Sequence, residues 1–251
     1  MPTYLLVVNA LTPADEYGGR PGWFPTGLGY LDNLTAAWNA AGLGLGVYNS
    51  LLYASLSAGT AVVVAAMASF AVIVMPVRRR GLWFWLIYSG TLLPLQVFLA
   101  PLFKAYVGVE LYDTQLGMVI IYAALCVPFA FFMVRNYLTT VAVEISEAAQ
   151  MDGAGWWRLF WQIHLPLARS ALLAAFVFQF TWVWNDLLFG ITLSTSPNIR
   201  PVMAALAELD GGYSSLGPPI VLAAALAVSL PTVLLFLAVQ RFFVSSLKPV
   251  G

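Results

Sequence analysis

Two stretches of this chain concentrate residue types that could do chemistry. In the first, Glu144, Glu147, Asp152 and His164 stand among small and aromatic residues; in the second, Asp186 follows Asn185. Glu144 and Glu147 have the type needed for paired acid and base work, but no nucleophile or metal-ligand cluster accompanies them. The chain's 1 histidine excludes a multi-histidine metal site within it. Read as helix, Ile145, Ala148, Ala149 and Asp152 follow the i, i+3, i+4, i+7 spacing of one face, with Glu144, Glu147 and Met151 on another. Small alanines beside a carboxylate make a face that another protein can approach closely. Contact with a partner is therefore a better reading of these acids than catalysis.

The elements around the first stretch follow from its breakers. Gly153 and Gly155 end the helix, since glycine is costly inside one and favoured at its end. A second helical segment over residues 156–163 carries Trp156, Trp157, Arg158 and Trp161 up to Leu165 and Pro166, where proline resets the chain. The three tryptophans suit either a docking surface or a membrane-interface belt. His164 reads as an interfacial histidine.

In the second stretch, Gln179, Trp182, Asn185 and Asp186 fall on one broad helical face. Polar groups interleaved with aromatic rings suit sugar hydroxyls and C–H faces. They suit equally a hydrogen-bond network that fixes a helix bundle. Asp186 is the only Asp, Glu, Lys or Arg inside any expected full span, where a charge costs about 2.5–3.5 kcal/mol on insertion scales.

Composition says what solvent these elements face. Of 251 residues, 61% are hydrophobic and 9% charged, with a mean hydropathy of +0.85, which excludes an ordinary soluble domain. The zero net charge gives no argument for nucleic acid. Cys126, the 1 cysteine, reads as a packed apolar residue. Five full spans are expected, over residues 48–75, 82–102, 116–134, 171–193 and 218–239, with Pro94 and Pro101 marking kinks in the second and Pro128 in the inner half of the third. The first apolar run, residues 4–11, is too short to cross, and a short helix is expected over 31–41. Arg78, Arg79, Arg80, Arg135, Arg158, Arg169, Arg241 and Lys248 fall on one side and Arg20, Lys104 and Arg200 on the other, so the positive-inside rule puts the 144–166 loop in the cytoplasm.

Glu147, Ala148, Ala149, Gly153, Ile163, Leu165 and Pro166 together match EAA-x3-G-x9-I-x-LP at every fixed position. This resembles the EAA loop of the membrane subunits of binding-protein-dependent ABC importers. Trp184-Asn185-Asp186 is similar to the WND signature of the sugar-type permeases. Residues 200–209, with Pro201-Val202, resemble the outer loop that faces the binding protein, and Gln240-Arg241-Phe242-Phe243 with the tail resembles the end of those permeases. Ala142 stands where the family usually has proline and Gln150 where it commonly has arginine, which bears on coupling strength.

The resemblance implies an all-α polytopic membrane protein, a type I ABC importer transmembrane domain with a MetI-like helix bundle. It implies one permease domain over residues 1–251, with a truncated first helix and a cytoplasmic coupling loop over 140–168. The implied function is ATP-driven import of a sugar or sugar derivative delivered by an extracytoplasmic binding protein. Glu144, Glu147, Ala148, Ala149, Asp152, Gly153, Ile163, Leu165 and Pro166 would couple to the ATPase, and Gln179, Trp182, Asn185 and Asp186 are candidate pathway residues. No cofactor is expected in this chain, which lacks a G-x-x-x-x-G-K-[ST] loop; ATP and Mg would sit on the partner ATPase. The implied partners are a second permease, an ATPase dimer, the binding protein and lipid, in the inner membrane of a prokaryote with the C-terminus cytoplasmic. The alternatives are an importer of glycerol phosphate or peptide, or a stand-alone secondary transporter, against which a lone Asp186 argues.

Overall fold

Small residues decide how the longest apolar helices pack. In the computed structural model, which describes residues 1–141, 143–209 and 216–246, helix α3 runs Leu43–Ile73. Ala54, Ala58, Ala61 and Ala65 are fully buried along one stripe of it, while Leu56, Val63, Val64 and Met67 on the far side are exposed. A stripe of alanine lets a neighbouring backbone approach closely, and the apolar far side suits lipid. The helix begins five residues ahead of the expected span, as Gly44 and Gly46 are taken into its first turns.

The other helices are α1 (Pro2–Leu11), α2 (Tyr30–Ala40), α4 (Arg80–Tyr88), α5 (Leu99–Gly108), α6 (Gln115–Leu138), α7 (Val143–Met151), α8 (Trp156–Leu159), α9 (Leu165–Leu167), α10 (Arg169–Trp184), α11 (Leu188–Leu193), α12 (Val202–Leu209) and α13 (Pro218–Ser246). No strand occurs among the described residues. Helices α3, α6 and the described part of α13 up to Gln240 are long and apolar enough to cross a membrane, and there are up to five spans if two bent pairs each count as one.

Both bent pairs depart from the expected single crossings, the first at a proline where a kink is expected. Residues 82–102 were expected as one crossing, but Arg80–Thr91 and Leu95–Gly108 meet at 84°. Pro94 has no N–H to continue the first helix and stands in extended backbone, so the chain restarts in a short 3-10 turn, Leu95–Phe98. Residues 171–193 were likewise expected as one crossing. Helix α10 instead begins at Arg169, after a 72° bend from Trp156–Leu167, and ends at Trp184.

The described residues group into two compact units, each gathered from three separate segments. One comprises Met1–Leu52, Phe103–Met118 and Trp184–Leu235. Within it, Asn33 donates to the carbonyls of Ala10 and Thr12, fastening α2 to the end of α1. Asn49 donates to the carbonyls of Asn198 and Arg200 and accepts from Gln115, while the Ser50 hydroxyl accepts from the Val202 N–H. Trp184, 1% exposed, donates its indole N–H to the Val228 carbonyl of α13.

The second unit comprises Tyr53–Leu102, Val119–Val183 and Phe236–Gly251. Ser57 and Ser69 of α3 donate to the carbonyls of Val119 and Phe131 of α6. Between them lies a core of Ala65, Val72, Ala130, Phe131, Val134 and Leu138, joined by Ala168 and Ala175. Gly90, in the 3-10 turn after α4, lies so close to Pro128 that a Cβ there would stand 2.7 Å from the proline Cγ. Arg135, near the end of α6, rests its guanidinium 4.8 Å from the centroid of the Phe84 ring.

Candidate functional site

The EAA stretch folds as two short helical arms joined by a glycine turn, wholly within the second unit. Val143 to Met151 form the first arm, and Gly153 then adopts φ +78°, a left-handed conformation that side chains other than glycine resist. Gly155 is extended and opens the second arm. That arm starts as α-helix, widens into a π turn over Phe160–His164, and returns to α-helix at Leu165–Leu167. Pro166 explains the widening, because its ring has no N–H for the Gln162 carbonyl and crowds it.

The sides of the first arm differ from the expected faces. Ser146 and Ala149 turn inward, whereas Glu144, Ile145, Glu147, Ala148, Met151 and Asp152 are exposed. Ala149 packs on a cluster of Ala66 and Phe70 of α3 with Leu159 and Phe160 of the second arm, and Ile163 and Leu165 join the same cluster. The alanine pair of the motif is thus divided, one facing out and one in. Gly153 and Pro166 are exposed. Ala142 and the tail from residue 247 lie outside the described residues, and Gln150 is exposed.

His164 is 4% exposed and Ser146 6%. The Ser146 hydroxyl and His164 Nε2 are 2.9 Å apart, and the imidazole meets the Phe70 ring edge-on at 5.2 Å between centroids. Sequence reading left His164 at an interface and passed over Ser146 and Phe70. Ser146 stands three residues before Ala149, and this inward i, i+3 pair was the signal available.

Around these buried contacts the loop presents apolar surface. Met151 is 89% exposed, Trp157 66% and Trp161 52%. A cleft of about 410 Å³ opens beside Arg80, Glu147, Gln150 and Trp156, and one of about 710 Å³ beside Tyr137, Ile145, Gln162 and Arg169. Exposed apolar groups rimmed by charge are the usual dress of a docking surface.

The candidate pathway residues do not share a helix. Gln179 is buried and donates to the Cys126 carbonyl at 3.0 Å, and Trp182, half-exposed, meets Tyr122 edge-on. Asn185 and Asp186 lie beyond the end of α10, which corrects their placement inside a span. The Asp186 carboxylate accepts from the N–H groups of Phe189 and Gly190 and so caps α11. A carboxylate that offers such bonds to the next helix competes with continuation of the one before it.

The family model for "Binding-protein-dependent transport system inner membrane component" matches residues 61–248. The α-glucoside transport system permease protein AglG of Rhizobium meliloti (strain 1021) is 32% identical over 223 residues, 86% of this chain and 58% of AglG. The sn-glycerol-3-phosphate transport system permease protein UgpE of Yersinia enterocolitica is 31% identical over 213 residues, 83% of this chain and 74% of UgpE. A probable ABC transporter permease, PH1216 of Pyrococcus horikoshii, is 34% identical across 58% of its own length, so the chain spans little more than half of two of these relatives. Among solved structures, a chain of a bacterial ABC transporter involved in import of the acidic polysaccharide alginate superposes with a TM-score of 0.80 at 20% identity, covering 96% of this chain and 90% of that one; the fold is that of an ABC importer permease. The helical architecture of the described residues, the EAA loop and the match over residues 61–248 agree, and the chain belongs to the binding-protein-dependent transport system inner membrane components.

Proposed function

We propose that the chain is the permease subunit of an ATP-driven importer that moves a sugar or sugar derivative delivered by an extracytoplasmic binding protein. The observation that carries this reading is the EAA loop, folded as two arms about Gly153 with Glu147, Met151 and Trp157 exposed. ATP and Mg would reside on a separate ATPase subunit, and a second permease would complete the pathway. The loop and C-terminus face the cytoplasm in this reading, as the arginine distribution favours. Closing of the ATPase dimer would move α7, and the bundles would rock between inward- and outward-open states. Hydrolysis is assigned to the partner, so this chain is a transport subunit and not an enzyme.

A sugar is favoured by the likeness to AglG and by the Trp184-Asn185-Asp186 signature. Gln179, Trp182 and Asn185 are the pathway candidates; Asp186, which caps α11, would reach substrate only alongside that structural bond. A phosphate ester is the second reading, favoured by the likeness to UgpE.

The test is purification of the tagged chain from its native membrane with its associated proteins. Recovery of an ATPase, a second permease and a binding protein, with ATP hydrolysis stimulated by that binding protein and a sugar, is the expected result. Stimulation by sn-glycerol-3-phosphate and by no sugar would select the second reading. Recovery of the chain alone, under conditions that keep a known ABC importer intact, would overturn both.

A further inference from the structure

We propose that Ser146 and His164 form a positioning pair for coupling: the pair fixes the angle between the two arms of the EAA loop and passes displacement of α7 to α3 through Phe70. The inference rests on the coupling role proposed above.

Apart from the packing of Ala149, a small side chain, on the cluster of Leu159 and Phe160, the two arms are joined through residues 152–155, which include two glycines, and such a joint can flex. The Ser146–His164 contact closes the triangle, bridging 18 residues at 2.9 Å. Both side chains are buried, where a hydrogen bond is stronger than in open water. His164 owes its place to the π turn, of which it is the last residue. The widened turn shifts the face that its final side chain presents relative to a regular helix.

The far side of the imidazole makes the second link. Its ring meets Phe70 edge-on, and Phe70 in turn packs on Phe160 at 5.3 Å between centroids. Phe70 lies in the last turns of α3, one turn beyond Ala66, which joins the same cluster. A push on α7 is therefore delivered through Ser146 and His164 into the end of a membrane-crossing helix. Close-packed side chains move together where a glycine joint alone would yield. Arg80 and Glu147 line the same cleft as Ser146 and His164 but are exposed, whereas the pair is buried and acts by contact.

The experiment uses the purified complex of this chain with its ATPase. Hydrogen–deuterium exchange is measured with and without Mg-ATP over residues 143–154 and 63–75, in wild type, Ser146→Ala, His164→Leu, Ser146→Thr and His164→Gln. In wild type, Mg-ATP changes exchange in both segments. In Ser146→Ala and His164→Leu the change persists in 143–154 and is lost from 63–75. Ser146→Thr keeps a hydroxyl and His164→Gln keeps a polar end near the Nε2 position, so both retain the response in 63–75. The KM for Mg-ATP, set on the ATPase, stays at its wild-type value in all four. A wild-type response of 63–75 in both Ser146→Ala and His164→Leu overturns the proposal. If wild-type 143–154 does not respond to Mg-ATP although the ATPase is bound, the coupling reading itself fails and the inference falls with it.

Discussion

The carboxylate of Asp113 accepts from the hydroxyl and backbone N–H of Ser196 and from the N–H of Thr195, tying the turn between α5 and α6 to the segment after α11. Asp113 itself has φ +55°, a left-handed conformation that aspartate tolerates better than most side chains. Burial pushes its carboxyl up, but the bonds from Ser196 and Thr195 and the Arg200 charge outweigh that, so it sits below its ordinary value. Arg200 also pairs with Glu208 and donates to the Thr195 carbonyl. A depressed carboxyl stabilises this clasp above the unfolded value of about 3.9, and the contribution is lost as pH falls through the lower folded value. Proteolysis of the 194–200 segment should therefore accelerate only in strong acid. Asp113→Asn should show the faster cleavage already at neutral pH, at a local cost of about 1 kcal/mol.

Gly153→Pro should abolish uptake while leaving the protein in the membrane. Proline cannot adopt the φ of +78° found there, so the two arms would separate. Glu147→Lys, which reverses an exposed charge beside the cleft at Arg80, should lower uptake without altering thermal stability. Radiolabelled solute uptake by cells matched for membrane level checks both, and wild-type uptake by either variant would contradict the coupling assignment.

Gly90→Ala should destabilise the fold by about 1–3 kcal/mol, the range for overpacking. The added Cβ would meet Pro128 Cγ at 2.7 Å, and a proline ring has little freedom to withdraw. Pro128→Ala should relieve the clash, so the double variant should melt above Gly90→Ala. Thermal unfolding in detergent, followed by size-exclusion chromatography, measures the difference.

Asp186 separates structure from recognition. Loss of its two bonds to the α11 N–H groups in Asp186→Ala should cost about 1 kcal/mol. Asp186→Asn keeps an acceptor oxygen and should melt close to wild type. If Asp186 also touches substrate, Asp186→Asn will raise the KM for transport despite its normal melting temperature. A normal KM would confine the residue to capping.

The EAA loop was legible because its turning points carry marked residues: two glycines for the joint and a proline for the exit. The spans were legible for a similar reason, since apolar length alone selects α3, α6 and α13. The breaks were not. Residues 185–187 divide an apolar run from which hydropathy predicts one helix, because hydropathy weighs side chains and takes no account of Asp186 bonding to the backbone ahead of it. The 84° bend near Pro94 had a visible cause but no visible angle, which is set by packing such as Gly90 on Pro128. The Ser146–His164 contact depends on the π turn, and the two residues lie too far apart in sequence for periodicity to pair them.

Cys126 is the chain's 1 cysteine, and its side chain is fully buried on α6. A thiol reagent therefore meets no accessible native target in the folded protein. A cysteine placed at exposed Trp157 can carry a fluorophore or nitroxide while position 126 stays as nature made it. The motion assigned to the EAA loop can then be watched in an otherwise wild-type background, one reporter at a time.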